Sequence, residues 1–136
     1  MAENTEKDFK NKHGRVVYDE DIPAVVTNFV GFHNLEDFKL IAEKELEFFR
    51  RFEVTKCMVN LKEMEVMKTE NQQYIQETWF SEAAALGIKF IAFVVPEDIF
   101  GAETMRQTNE DAESRLSMNM EYFYSPQDAI DWLKKQ

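Results

Sequence analysis

Apolar residues recur along the chain at two different periods, and the switch between them marks out the elements. Ile88-Lys89-Phe90-Ile91-Ala92-Phe93-Val94-Val95-Pro96 is the longest nearly apolar run and has no polar helical face. It predicts a central strand buried on both sides, as in a parallel sheet covered by helices. Gly87 in front of it suits a helix C-terminus, and Pro96 behind it stops further sheet pairing. Upstream, Arg15 to Tyr18 and Ile22 to Val30 are β-prone runs joined by the acidic turn Asp19-Glu20-Asp21, the pattern of an antiparallel hairpin. Leu35, Phe38, Ile41, Ala42, Leu46, Phe49 and Phe52 then follow a 3.6-residue period behind Asn34 as cap. Val54 to Leu61 reads as the next strand, and Lys62 to Lys68 as a connecting loop.

A second helix is predicted from a capping box in which Thr69 and Gln72 satisfy each other's backbone amides. Its buried stripe is Ile75, Trp79, Ala83 and Leu86. After the organising strand comes a turn, Pro96 to Gly101, and then a weak helix, Ala102 to Leu116, with only Met105, Ala112 and Leu116 at helical spacing. Met120 to Tyr124 is a short last strand. Ser125 as cap, Pro126 at the first helical position and Asp128 in the first turn start a final helix fastened by Ala129, Ile130, Trp132 and Leu133.

The order ββαβαβαβα implies right-handed crossovers and an α/β fold: a mostly parallel five-stranded sheet with an antiparallel N-terminal edge hairpin and four helices. Residues 1–13 mix charges that nearly cancel with a single Phe9 and are expected to form a flexible polar tail, leaving 14–136 as one domain. A chain of 136 residues is large enough to bury a core without a disulfide or a metal.

Net charge −10, with the basic residues scattered, argues against nucleic acid and anionic membranes as partners. Cys57 is the one cysteine, so no internal disulfide is possible, and a reducing compartment is expected. The first residues lack the apolar core of a signal peptide, and the longest apolar run is too short to span a bilayer. A soluble, cytoplasmic protein is therefore expected.

Several local features, taken together, carry a resemblance. They are Asn60-Leu61-Lys62 leaving a strand, Thr69 opening the next helix, Trp79, Gly87, Val94-Val95-Pro96, Glu97-Asp98-Ile99-Phe100, Tyr122-Phe123-Tyr124 and Ser125 to Leu133. The chain resembles the STAS domains of bacterial anti-sigma-factor antagonists, the SpoIIAA-like fold that CRAL-TRIO lipid-transfer domains also share. It is more closely similar to small, largely uncharacterised bacterial STAS-like proteins. The likeness covers about residues 14–136. In the antagonist family the first Ser of an Asp-Ser-Ser-Gly group is phosphorylated to switch partner binding, and this implies Thr69 as the phosphoacceptor-equivalent position. Asn60 stands for the family's first Asp, Lys68 for its second and Asn71 for its Gly, so only the hydroxyl survives and a plain helix cap is the preferred role.

Reactive groups are sparse. His33 lies at a strand-to-helix turn with no nucleophile motif beside it, so a structural role is preferred to that of a general base. Cys57 sits mid-strand among apolar neighbours and reads as a buried small hydrophobe. Glu63 with Glu65, and Glu97 with Asp98, read as solvated loop charge rather than metal ligands. No catalytic residue, cofactor or metal is expected. The 12 Phe, 4 Tyr and 2 Trp are more suggestive. Phe32, Phe48, Trp79, Phe80 and Phe100 are candidates for an apolar pocket or a subunit interface, against the simpler reading that they fill the core. Two functions follow as expectations. The first is a non-enzymatic domain acting through protein–protein association in regulation or signalling, as a homodimer. The alternative is a small-molecule or lipid-binding domain with an apolar pocket beneath the Pro96 to Gly101 turn and the weak third helix, as the CRAL-TRIO likeness implies.

Overall fold

The computed structural model describes residues 6–65, 67–97 and 101–136. In chain order these form β1 (Asp8–Asn11), β2 (Gly14–Asp19), β3 (Ala24–Gly31), α1 (Leu35–Phe52), β4 (Lys56–Met64), α2, β5 (Phe90–Val94), α3 (Gly101–Arg115), β6 (Asn119–Phe123) and α4 (Pro126–Lys134). Helix α2 is continuous but not uniform: an α-helical turn, Thr69–Tyr74, a π-helical turn, Ile75–Trp79, and a second α-helical stretch, Phe80–Ala85.

All six strands lie in one sheet in sequence order. β1 to β3 form an antiparallel meander, and β3 to β6 run parallel. In register, Val25 is opposite Cys57, Cys57 opposite Ile91, and Ile91 opposite Met120. Three crossovers of one hand that step in one direction must put their helices on one face. Accordingly α1, α2 and α3 cover one side, over Val25, Phe29, Cys57, Val59, Ile91, Phe93 and Met120. Helix α4 covers the other, where Ala129 and Leu133 meet Ala24, Met58, Ala92 and Val94. This accounts for the apolar run at β5, whose residues Ile91 to Val94 are buried on both faces.

The class is as expected from the sequence, but the strand number is six rather than five. Asp8–Asn11, expected in the flexible tail, adds an edge strand to β2. Its charges pair across to the following hairpin: Asp8 with Arg15 and Lys7 with Glu20. The Arg15 guanidinium holds the Asp8 carboxyl below its usual range. Phe9 packs on the core with the Lys44 ammonium 4.9 Å from its ring centroid. Gly14, which opens β2, has a definite reason to be glycine, since a Cβ there would run into the Asn28 carbonyl oxygen.

Helix signals hold at two starts and fail at a third. Asn34 accepts from the Asp37 amide at 2.8 Å, and Ser125 caps α4 with Pro126 following it. The predicted capping box does not form. Lys68 is the N-cap of α2 and makes no side-chain cap bond, so Thr69 already lies inside the first turn, exposed. Strand β4 also runs on to Met64, because a bulge in the β3–β4 register after Asn28 pairs Val30 with Glu63 and Gly31 with Met64. The expected loop is shorter by that amount. No helix among the described residues is long and apolar enough to cross a membrane.

Candidate functional site

The three helices on one face do not close completely over the sheet. Between them lies a pocket of about 430 Å³, within the range of small-molecule sites. Its floor is Phe29, Val59, Leu61, Phe93 and Val95 from the sheet, and α1 contributes Phe38, Ala42 and Glu45. Helix α2 supplies Gln72, Ile75, Gln76, Trp79 and Phe80, and α3 supplies Thr104, Met105, Thr108 and Asn109. Met64, Glu65, Met67 and Pro96 complete the rim.

The π-helical turn shapes one wall. Phe80 donates its amide to the Ile75 carbonyl, five residues back. The extra residue in that turn widens the helix and lets Ile75, Gln76 and Trp79 all reach the pocket, a distortion found often at functional sites. A polar chain crosses from this wall to α3. Gln76 Nε2 donates to Asn109 Oδ1 at 2.7 Å, and Asn109 Nδ2 donates to the Tyr122 hydroxyl at 3.1 Å. Burial raises the Tyr122 phenol above its ordinary pKa, with Asn109 pulling the other way. The sparse apolar stripe of α3 is thus supplemented by hydrogen bonds.

Glu45 is the unusual lining residue. It is 2 % exposed, on the apolar face of α1. Burial pushes its carboxyl pKa up to about 8, while Thr27 and Trp79 beside it favour the charged form in part. Yet Thr27 Oγ1, Trp79 Nε1 and Glu45 Oε2 are all buried without a partner of hydrogen-bond geometry. Three polar side chains therefore meet behind the pocket wall, where Thr27 and Trp79 approach the Glu45 carboxyl closely enough to favour its charged form although the geometry is poor.

Of the aromatic candidates, Trp79 and Phe80 line this pocket. Phe48 is fully buried against Phe52 and Arg51 and serves the core. Phe32 is 55 % exposed, with Lys68 Nζ 5.2 Å from its ring centroid, away from the pocket. Phe100 and Ile99 lie outside the described residues. His33 is buried, and its Nε2 donates to the His13 carbonyl at 2.8 Å. Asn71 Nδ2 donates to the His33 carbonyl at 3.2 Å, so this pair ties the N-terminal hairpin to α2. Cys57 is fully buried, and its thiol pKa is pushed well up by burial.

Glu45, Gln76 and Asn109 were not singled out from the sequence. For Glu45 a signal existed: with Phe38, Ala42 and Phe49 it continues the buried stripe at spacings of three and four. Gln76 and Asn109 gave none, since polar residues on surface helices are ordinary.

No family model matches the chain, and no curated protein does. Among solved structures the chain is similar to the crystal structure of an uncharacterized DUF3478-family protein with a SpoIIAA-like fold, from Shewanella loihica PV-4. The TM-score is 0.61 over 98 % of each chain, at 15 % identity. The fold is SpoIIAA-like; at that identity the likeness speaks for architecture alone.

Proposed function

We propose that this SpoIIAA-like domain works by binding an apolar small molecule in the pocket between the sheet and helices α1 to α3, rather than by catalysis. One observation carries the reading: a cavity of about 430 Å³ with an apolar floor, walled by three helices. A core that existed only for stability gains by filling such a space, because unfilled volume costs free energy. His33 is committed to holding two segments of chain together, which speaks for a structural role.

Trp79 is a built-in reporter. Trp132 lies on the opposite face against Phe90 and Phe123, so a Trp132→Phe protein emits from Trp79 alone. Apolar compounds should shift that emission and raise the melting temperature, by about 2.7 kcal/mol of stability at a hundredfold excess over Kd. If neither quantity moves across a broad panel of apolar molecules, the pocket is a packing defect and the proposal falls.

Association with a protein partner or a second copy is the second reading. It draws on Phe32, a large apolar side chain exposed just past the end of β3. Sedimentation of wild type and Phe32→Ser tests it: a dimer lost on substitution supports it, and a monomer throughout removes the second-copy form.

A further inference from the structure

The residues lining the pocket are sorted by depth. Phe29, Phe38, Trp79, Phe80 and Phe93 are buried, Gln76 of α2 and Thr108 of α3 are half-buried, and Glu65, Gln72 and Thr104 are exposed. The mouth therefore lies between the β4–α2 connection and α3, with Gln76 and Thr108 one step inside it. A ligand with an apolar body enters tail first, since a polar end pushed down to the aromatic floor would lose its water and find no partner. Its polar end stops at the level of Gln76 and Thr108, whose hydrogen-bonding direction is already fixed. Asn109 Nδ2 donates to the Tyr122 hydroxyl at 3.1 Å, so Asn109 turns Oδ1 towards Gln76 and accepts from Gln76 Nε2 at 2.7 Å. Gln76 Oε1 is left with no donor among the described residues. The Thr108 hydroxyl donates its proton to the Thr104 carbonyl at 2.9 Å and keeps its lone pairs. Both half-buried groups are thus acceptors, one on each of the two helices that flank the mouth.

Resting on the pocket reading above, we infer that the site takes an amphipathic alcohol, its apolar tail over the sheet and its hydroxyl donating at the step formed by Gln76 Oε1 and Thr108 Oγ1. Other end groups fit less well. An ether or a carboxylate brings only acceptors and leaves both protein acceptors unmet. A carboxylate also meets Glu65, and there is no Lys, Arg or His among the described lining residues to offset it. An ammonium brings donors, but it would be half-buried against neutral oxygens. Glu65 is exposed to water and repays little of the hydration such a cation loses.

Four probes with different ends decide it: 1-decanol, its isomer 1-methoxynonane, decanoate and decylammonium. Each is titrated below its aggregation concentration, at neutral pH, into the Trp132→Phe protein and followed by Trp79 emission. The alcohol should bind about tenfold more tightly than each of the others, the effect of one or two hydrogen bonds. Adding Gln76→Met and Thr108→Val together removes both acceptors and keeps an apolar lining, so the alcohol and the ether should then bind alike, with the ether no weaker than before. Thr108→Val alone leaves the Gln76–Asn109 bond in place and should lose part of the preference, which keeps the test open if the double variant does not fold. Wild-type affinity for the ether, decanoate or decylammonium that equals or exceeds that for the alcohol overturns the inference and leaves the pocket reading standing. So does an alcohol preference undiminished by the substitutions. If none of the four moves the emission or the melting temperature, the pocket reading falls as well.

Discussion

A carboxyl group buried at position 45 works against the folded state, and its titration makes the cost measurable. The folded-state pKa is raised from 4.5 to about 8. Between those values the folded chain holds a proton that the unfolded chain has released, so stability falls as pH rises. The contribution of this group is fully present below the unfolded value and is lost as pH passes the folded one. Glu45→Gln lacks the titration. Its stability relative to wild type should climb across that window, by on the order of a few kcal/mol, and level off above it. Urea denaturation of both proteins at a series of pH values checks this; a difference that does not vary with pH would mean the carboxyl reaches water. The position was legible in principle, as an acidic residue within an apolar stripe. Its chemistry was not, because the desolvation comes from β3, β4 and α2, which are distant in sequence.

Helix starts show how far local signals reach. Ser125-Pro126 and Asn34 name their caps correctly, since the bond from the cap side chain to an amide three residues on is purely local. Thr69 carries an equally good local signal and caps nothing. Helix α2 begins one residue earlier, at the end of a connection whose path is set by β4 and by the bond from buried Asn71 to His33. Replacement separates the two sites. Ser125→Ala should cost about 1 kcal/mol, whereas Thr69→Ala should be neutral or slightly stabilising, since Ala is the better helix former. Thermal melts of the two variants decide it; equal losses would restore the cap at Thr69. The π-helical turn in the same helix had no sequence signal, because it reflects how Trp79 and Phe80 fit against Phe49 and the sheet rather than any preference of the turn itself.

Across the whole molecule, the segment Asp8–Asn11 is part of the sheet and not an appendage. Val30 N–H and His33 Nε2 both donate to the His13 carbonyl, and Arg51 reaches the Glu6 carbonyl at 2.7 Å. Removing the residues before Gly14 should leave those donors unmatched and expose the β2 edge. A melting temperature lowered by several degrees, with a greater tendency to aggregate, is the expected outcome. Unchanged melting and solubility would return the segment to the status of a tail.

By itself the sequence determined the α/β class, the parallel core and the right-handed crossovers, because these follow from apolar period and chain order, which are properties of neighbouring residues. The doubly buried β5 run, the hairpin ahead of it and the Ser125 helix were readable for that reason. Tertiary structure alone decided that Asp8–Asn11 pairs as an edge strand, that Trp79 and Phe80 border a cavity while Phe48 fills the core, and that Glu45 meets Trp79 behind its wall. The physical reason is common to all three. Edge pairing, empty volume and desolvation depend on how distant segments pack together, and no local pattern of residues records that distance.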